Sequence, residues 1–203
     1  RRPEIAERWA IWQEEKASRL KDESEIGLSS IAVFEAMNKI TPSNAVIAVD
    51  VGNNTYSFGR YFEPKNQTIL MSGYLGSIGF SLPAAMGAWA AQGKDRPIWS
   101  VSGDGGFGQY LGEMMTLVKY NMNIKHVLLN NSQIGKIAKE QKAAELDVWK
   151  TSLHNANFSE YAKNCGALGI RVTKKEELIP ALEKLRDHNG PALLEIITDA
   201  TLI

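Results

Sequence analysis

The chain has 203 residues, of which 44% are hydrophobic, and its 23 basic side chains equal its 23 acidic ones in number. This hydrophobic fraction excludes a disordered chain, and the zero net charge argues against a protein that binds the phosphate backbone of nucleic acids. The sequence has no run of the roughly 18 apolar residues that a membrane-spanning helix needs. The single cysteine, Cys165, excludes an internal disulfide and suits a reducing compartment, so we expect a cytoplasmic protein.

The beginning of the chain differs in character from the rest. It is rich in charged residues and helix formers, and Trp9, Trp12 and Lys16 recur at helical spacing. The chain also begins without an initiator methionine. We therefore interpret residues 1–25 as a linker helix that leads out of an upstream domain missing from this chain, and residues 26–203 as one domain.

The remaining sequence alternates between strand-like and helical segments. The predicted strands are residues 45–49, 98–102, 124–129, 167–172 and 192–198. The predicted helices are residues 29–40, 84–92, 111–120, 133–145 and 158–164, and a last helix opened by a capping box at residues 173–176. Four or five apolar strands separated by helices predict an α/β fold of three layers, a parallel sheet with helices on both faces.

Three of the predicted strands end in polar or glycine-rich sequences. These strand ends are residues 50–54, 103–106 and 130–132. Ligands of parallel α/β sheets bind beyond the carboxyl ends of the strands. We therefore expect these three loops to converge on one site.

The glycine loop can be interpreted in two ways. Residues 103–108 satisfy the G-x-G-x-x-G pattern of a dinucleotide-binding turn between a strand and a helix. That interpretation requires an acidic residue about 20 residues further on, at the end of the next strand. The next strand instead ends in Asn130 and Asn131. Asp104 would also place its carboxylate beside an anionic pyrophosphate, which is unfavourable unless a cation lies between them.

A magnesium ion removes this electrostatic objection. Mg²⁺ takes hard oxygen ligands, commonly one or two carboxylates together with phosphate oxygens and water. Asp104 can supply the carboxylate, and Asn131 at the end of the neighbouring strand can supply an amide oxygen. The glycines allow backbone N–H groups to approach a diphosphate. The three histidines, in contrast, lack metal-ligand spacing and are interpreted as core or surface residues: His126, His154 and His188.

The spacing of these two motifs resembles that of the thiamine diphosphate-dependent enzymes. The sequence Gly103-Asp104-Gly105 is followed by 24 residues and then by Asn130-Asn131. Residues 73–85, 153–158 and 165–172 are similar to the pyruvate oxidase and acetolactate synthase group. The resemblance implies the C-terminal diphosphate-binding domain of that superfamily, with thiamine diphosphate and Mg²⁺ as its cofactors.

The resemblance also implies roles for individual residues. Asp104, Asn131 and the backbone carbonyl of Gln133 would ligate Mg²⁺. Gly76 would accept a proton of the cofactor's amino group through its carbonyl, and Ile78, where the family often has Met, would lie beneath the bent cofactor. The full set of implied cofactor contacts is Asn53, Asn54, Gly76, Ser77, Ile78, Gly103, Asp104, Gly105, Gly106, Asn131, Gln133, Ile134 and Gly135. Asn53 and Asn54 could instead form local Asx turns, and the two isoleucines could instead be core residues.

The resemblance places further parts of the catalytic machinery outside this chain. The glutamate that activates the cofactor comes from the N-terminal domain in this superfamily, usually that of a partner subunit. We assign no catalytic residue within the chain and expect a homodimer or homotetramer. The oxidases also have a middle domain that binds FAD, and such an enzyme would lie at the membrane surface if a quinone is its electron acceptor.

The expected substrate is a 2-keto acid, most simply pyruvate, and the expected reaction is most like that of pyruvate oxidase. Acetolactate synthase is the alternative, and it joins the two-carbon unit to a second keto acid. The synthases carry a Gln-Trp-Gln stretch where this chain has residues 139–141, Lys-Glu-Gln. Two alternatives from other classes remain: an NAD-type nucleotide-binding module and a non-catalytic association domain.

Overall fold

The computed structural model describes residues 2–22, 24–92 and 95–202. Within these ranges the chain forms one sheet of six strands. The strands are β1 (Val46–Val49), β2 (Thr68–Met71), β3 (Ile98–Gly103), β4 (Ile124–Asn130), β5 (Leu168–Val172) and β6 (Ala192–Ile197). Their order across the sheet is β2-β1-β3-β4-β6-β5, and every neighbouring pair is parallel. The expectation of a parallel sheet is confirmed.

Helices cover both faces of this sheet. In the same ranges they are α1 (Pro3–Arg19), α2 (Ser30–Ile40), α3 (Asn53–Tyr61), α4 (Ser81–Gln92), α5 (Asp104–Gly108), α6 (Glu113–Lys119), α7 (Gly135–Ala143), α8 (Phe158–Asn164) and α9 (Leu178–Asp187). A 3₁₀ turn, Lys175–Glu177, precedes α9. Its cap lies one residue later than predicted, because Glu177 accepts from the N–H groups of Thr173 and Lys174.

Two hydrophobic cores, one on each face, hold the three layers together. On one face, α2, α3 and α9 pack against the sheet through residues such as Phe34, Trp99 and Leu182. On the other face, α4, α6 and α8 pack through residues such as Leu82 and Leu128. Successive side chains of a strand point to opposite faces of the sheet, so each central strand contributes residues to both cores. The three-layer α/β fold is therefore present as predicted.

The region between β1 and α4 was only partly predicted. Helix α3 and strand β2 were not expected, so the sheet has six strands instead of four or five. Strand β2 has four residues at the edge of the sheet, and none of them is fully buried. A short, half-exposed edge strand lacks the continuous apolar run that marks a central parallel strand.

Helix α1 is present where the sequence predicts a helix, and it packs against α3. Trp12 stacks on Tyr61 with ring centroids 5.8 Å apart. The buried Lys16 ammonium lies 2.6 Å from Glu63 and also pairs with Glu35. The role of this helix as a linker remains a prediction. Across the described residues, no helix has the length and apolar character needed to cross a membrane.

A buried histidine lies in the core beside the carboxyl end of β3. His126 is fully buried, its Nε2 lies 2.9 Å from the Ser102 hydroxyl, and its ring packs against Phe107 at a centroid distance of 4.8 Å. Its Nδ1 has no hydrogen-bond partner among the described residues. Burial lowers the pKa of His126 to about 3. The histidine is therefore a neutral core residue at physiological pH.

We predict that His126 makes the protein less stable in acid. The unfolded chain binds a proton at this side chain below about pH 6.5, whereas the folded chain resists it down to about pH 3. Between these limits the free energy of unfolding should fall by up to about 1.4 kcal/mol per pH unit. Urea unfolding of wild type and His126→Gln between pH 7 and pH 4 measures the difference. The variant should show the weaker acid dependence, whereas His154→Gln, at an exposed histidine, should match wild type.

Candidate functional site

A cavity of about 390 Å³ lies at the carboxyl ends of the central strands. Its walls come from the segments that follow β1, β3 and β4, together with the 76–78 loop and the residues after β6. The chain passes from β1 outward to β2 and then returns to β3 on the other side of β1. The cavity thus lies where the direction of the strand order reverses, which is the usual ligand position in open parallel sheets.

The predicted cofactor contacts meet at this cavity with one exception. Those among its lining residues are Asn53, Asn54, Gly76, Ile78, Gly103, Asp104, Gly105, Gly106, Asn131, Gln133, Ile134 and Gly135. Ser77 is not in the lining, and its backbone N–H donates to the Ser72 hydroxyl at 3.2 Å. The convergence of the three loops is therefore observed, whereas the individual contacts to a cofactor remain predictions.

The buried carboxylate of Asp50 fastens the 76–81 loop to the end of β1. Its Oδ1 accepts the backbone N–H groups of Val51 at 2.7 Å, Gly79 at 2.8 Å and Phe80 at 3.2 Å. The Ser81 hydroxyl lies 3.4 Å from Oδ2. Burial raises the pKa of the Asp50 carboxyl, and these hydrogen bonds oppose the rise. Asp50 thus positions the loop that carries Gly76 and Ile78 to the cavity.

The glycine loop after β3 packs directly against this anchor. It is not an open loop: residues 104–108 form α5, because Phe107 is buried in the core and holds a glycine-rich segment in a helical turn. A Cβ atom on Gly106 would lie 2.3 Å from Asp50 Oδ2 and 3.4 Å from the backbone nitrogen of Gly79. Position 106 therefore has no room for a side chain while Asp50 keeps its place.

The Asp104 carboxylate is buried at the first residue of α5. Its Oδ1 accepts the Gly105 N–H at 3.0 Å, and its Oδ2 accepts the Asn155 side-chain amide at 2.7 Å. Burial raises the pKa of the Asp104 carboxyl, and the Asn155 hydrogen bond opposes the rise. Among the described residues no cationic side chain pairs with it. A buried carboxylate without a cation is suited to receiving one from a ligand or metal.

The loop after β4 is held beside Asp104 by a short antiparallel pairing. The Ile134 N–H donates to the Thr151 carbonyl at 2.7 Å, and the Leu153 N–H donates to the Ser132 carbonyl at 2.8 Å. Asn131 Oδ1 accepts the Gln133 N–H at 3.0 Å. An amide oxygen has a second lone pair, so this bond leaves Asn131 able to ligate a metal.

The two adjacent asparagines after β1 differ in their contacts. Asn54 donates its side-chain amide to the Asp50 carbonyl at 2.9 Å. This is a local contact with the residue that follows β1, but it is not an Asx turn, in which the side-chain oxygen accepts a backbone N–H. Asn53 Nδ2 is buried and has no hydrogen-bond partner within the described residues. The same nitrogen lies 2.5 Å from the position that a Cβ atom on Gly135 would occupy. Asn53 is therefore the asparagine of this pair with a free donor in the cavity wall.

The electrostatics of the cavity favour a ligand that combines negative charge with a metal ion. Helices α3, α5 and α7 all begin in its lining, at Asn53, Asp104 and Gly135. Helix N-termini present free N–H groups and favour anions. In the described part of the chain, no three His, Cys, Asp or Glu side chains cluster as a metal site. A metal here would therefore depend on amide and carbonyl oxygens beside Asp104, as a hard cation permits.

Sequence reasoning missed several residues of this site. Asp50 was noted as part of a strand-end loop but not as its anchor, although a carboxylate directly after a buried strand was a usable signal. Asp199, which no sequence pattern marked, also lines the cavity. Lys136 lines it too, and its ammonium lies 2.9 Å from Glu140, as expected for a paired face of a solvated helix. Asn155 lies in the 153–158 segment that carries the family resemblance, but the resemblance assigned it no role. It lies 24 positions beyond Asn131 in an irregular segment and meets Asp104 only through the fold.

The fold and the cavity are those of a parallel α/β domain with a ligand site at the reversal of its strand order. Residues 50–196 match the family described as thiamine pyrophosphate enzyme, C-terminal TPP binding domain. The chain belongs to this family. Because the chain belongs to this family, the glycine loop is that of a thiamine diphosphate-binding domain and not a dinucleotide-binding turn.

The chain is similar to longer proteins of the same kind. It is 34% identical over 180 residues to YdaP of Bacillus subtilis, whose name assigns it thiamine pyrophosphate; the match covers 87% of this chain and 31% of YdaP. It is 32% identical to acetolactate synthase 1 of Nicotiana tabacum, covering 81% of this chain and 26% of that protein. The acetolactate synthase large subunit of Corynebacterium glutamicum is also 32% identical, with 81% and 28% covered. The chain thus spans about a third or less of these relatives.

We predict that Gly106→Ala disturbs the Asp50 anchor. The new methyl group would displace the Asp50 carboxylate, so the Gly79 and Phe80 N–H groups lose their acceptor. The free energy of unfolding should fall by about 1–3 kcal/mol, and these two amides should exchange faster with deuterium. Gly112→Ala is the matched control, because a Cβ atom there meets nothing within 4 Å. Unchanged protection of both amides in Gly106→Ala would contradict the anchoring role.

Proposed function

We propose that this domain binds the diphosphate end of thiamine diphosphate through Mg²⁺, in an enzyme that decarboxylates a 2-keto acid. The observation that carries the proposal is the meeting of Asp104 and Asn131 with the N-termini of α3 and α7 in one cavity. A diphosphate with its magnesium ion combines the negative charge that the helix ends favour with the cation that Asp104 lacks.

The residues present fit this group. Asp104, Asn131 and the Gln133 carbonyl would hold Mg²⁺, and the Gly106 N–H would donate to the diphosphate. The Gly105 N–H already donates to Asp104 Oδ1 at 3.0 Å, so it would hold this metal ligand in place. Gly135 leaves room for Asn53 against the backbone, because a Cβ atom there would lie 2.5 Å from Asn53 Nδ2. A phosphate would bind on the cavity side of Asn53. The unpartnered Asn53 Nδ2 then has an acceptor to bind.

Apolar residues would position the remainder of the cofactor. Ile78 and Ile134 line the cavity on opposite loops and would exclude water from it, while the Gly76 carbonyl would accept a proton of the cofactor's amino group. Gly76 has a φ of +61°, and a Cβ atom there would meet nothing within 4 Å, so its requirement is one of backbone conformation. When bound, thiamine diphosphate supplies the electron sink for the bond that breaks as CO₂ leaves a 2-keto acid.

The surface around the cavity supports a partner domain as part of the complete site. Tyr74 is 98% exposed and Leu75 80%, directly before the lining residue Gly76, and the lining residues Ile78 and Ile137 are also exposed. Exposed apolar residues grouped around a pocket are typical of an interaction surface. We propose that the N-terminal domain of a partner subunit covers them and brings the activating glutamate, within a homodimer or homotetramer.

We predict that Asp104→Ala removes the metal dependence of cofactor binding. Calorimetry with thiamine diphosphate and with NAD, each with and without Mg²⁺, should show magnesium-dependent binding of thiamine diphosphate alone. The variant should weaken that binding by at least about 10-fold, since loss of even an outer residue of a metal site has an effect of that size. Asp147→Ala, at an exposed carboxylate, should match wild type. Binding of NAD that is unaffected by Asp104→Ala would contradict the proposal.

Two reactions fit a decarboxylating enzyme of this family. The stretch Lys139-Glu140-Gln141, in place of the Gln-Trp-Gln of the synthases, supports an enzyme like pyruvate oxidase, with FAD in a middle domain. The acetolactate synthases among the relatives support the synthase at least as well. The oxidase converts pyruvate and water into acetate and CO₂ while an acceptor takes two electrons, whereas the synthase joins two pyruvates into acetolactate with loss of one CO₂.

We expect the products formed from pyruvate to separate these reactions. The assay needs the protein in which this chain is accompanied by the N-terminal domain. Acetate formation that depends on an electron acceptor is expected for the oxidase. Acetolactate as the sole product, formed without any acceptor, would refute the oxidase and establish the synthase.

A further inference from the structure

An amide outside the predicted cofactor contacts holds the Asp104 carboxylate from behind. Asn155 lies in the irregular segment between α7 and α8. Its Nδ2 donates to Asp104 Oδ2 at 2.7 Å and to Asn130 Oδ1 at 2.8 Å. Since Asp104 Oδ1 already accepts the Gly105 N–H, both carboxylate oxygens have a fixed donor. The rotation of the carboxylate is therefore set by Asn155 on one side and by the backbone on the other.

Asn155 is itself held by a chain of hydrogen bonds that crosses the sheet. Asn130 Nδ2 donates to Glu195 Oε1 at 2.8 Å, and Arg171 Nη1 lies 3.1 Å from both Glu195 oxygens. The Ser159 N–H donates to Glu195 Oε2 at 3.1 Å. Side chains alternate between the two faces of a strand. Asn130 of β4 and Glu195 of β6 are therefore on the same face as the core residues that pack against α8. The chain of contacts thus runs from β5 through β6 and β4 to the first residue of α5.

Burial makes this arrangement rigid at its centre. Glu195 is fully buried and Asn130 is 5% exposed, whereas the Arg171 side chain is 38% exposed at the outer end. A buried carboxylate is tolerated when a cation and further donors satisfy it, as Arg171, Asn130 and Ser159 do here. If these positions served only to pack the core, apolar residues would fill them. The network instead ends in the hydrogen bond from Asn155 to the Asp104 carboxylate, which lies where a ligand would bind.

We propose that Asn155 is a positioning residue that orients Asp104 toward the magnesium ion, and that Arg171, Glu195 and Asn130 hold Asn155 in place. The inference rests on the proposed function, since it takes the metal as the ligand of Asp104. Carboxylates that ligate metals are oriented by hydrogen bonds from outer residues, and loss of such a residue lowers metal affinity by about 10- to 100-fold. Asn130 and Asn131 thereby have separate tasks, one turned into the sheet network and the other toward the cavity.

The test measures how strongly Mg²⁺ promotes cofactor binding. The quantity is the ratio of the thiamine diphosphate Kd without Mg²⁺ to the Kd with it, measured by calorimetry on the full chain. Asn155→Ala should lower this ratio by about 10- to 100-fold while leaving the Kd without metal nearly unchanged. The electron paramagnetic resonance spectrum of Mn²⁺ bound in place of Mg²⁺ should change as well, because the geometry at Asp104 is altered.

A control variant two residues away separates positioning from folding. Asn157 caps α8 by accepting the Glu160 N–H at 3.1 Å, and Asn155 rather than Asn157 supplies the contact to Asp104. Asn157→Ala should lower the thermal midpoint of the protein and leave the Kd ratio as in wild type. Arg171→Met, at the outer end of the network, should lower the ratio by a smaller factor than Asn155→Ala, and it provides a second variant if Asn155→Ala does not fold.

The outcomes distinguish this inference from the proposed function. A folded Asn155→Ala with the wild-type ratio would overturn the positioning role, as would equal losses in Asn155→Ala and Asn157→Ala. If Asn155→Ala does not fold, a wild-type ratio in Arg171→Met overturns the role of the network. A wild-type chain whose affinity for thiamine diphosphate is the same with and without Mg²⁺ contradicts the proposed function itself.

Discussion

One buried carboxylate, that of Asp50, connects three of the segments that form the cavity. It ends β1, accepts the N–H groups of Gly79 and Phe80, and occupies the space that a side chain at position 106 would need. The 76–81 loop and α5 therefore depend on the same group, although they are far apart along the chain. Because each hydrogen bond to a charged acceptor is stronger than one to a neutral acceptor, this small contact area can determine the position of two walls.

The fold was largely predictable because its central strands are buried on both faces. Short apolar runs such as residues 45–49 and 124–129, alternating with helical segments, are typical of parallel strands that are buried on both faces. The segments that were missed derive their structure from tertiary contacts. Strand β2 is a half-exposed edge, and α5 consists mainly of glycines, whose intrinsic preference opposes a helix. Local sequence carries little information about elements of this kind.

The candidate site was predictable to the extent that its residues stand next to strand ends. Asp104 and Asn131 could be placed together because parallel strands direct their carboxyl ends to one edge of the sheet. Their supporting residues could not be found in this way. Asn155 reaches Asp104 from an irregular segment, and Glu195 lies inside a strand whose other residues are apolar, so its partner Arg171 is apparent only in the register of β5 and β6. Sequence thus indicated the groups that face the ligand better than those that hold them.

The unpartnered amide of Asn53 has a consequence for the energetics of the free domain. A buried donor without an acceptor lowers folding stability by about 1–3 kcal/mol. In the complex proposed above, a phosphate oxygen that accepts from Asn53 Nδ2 would relieve this cost. A ligand that satisfies this donor gains affinity from the relief, whereas one of similar charge that misses it does not. The position of this donor would then favour anions whose oxygens can reach it.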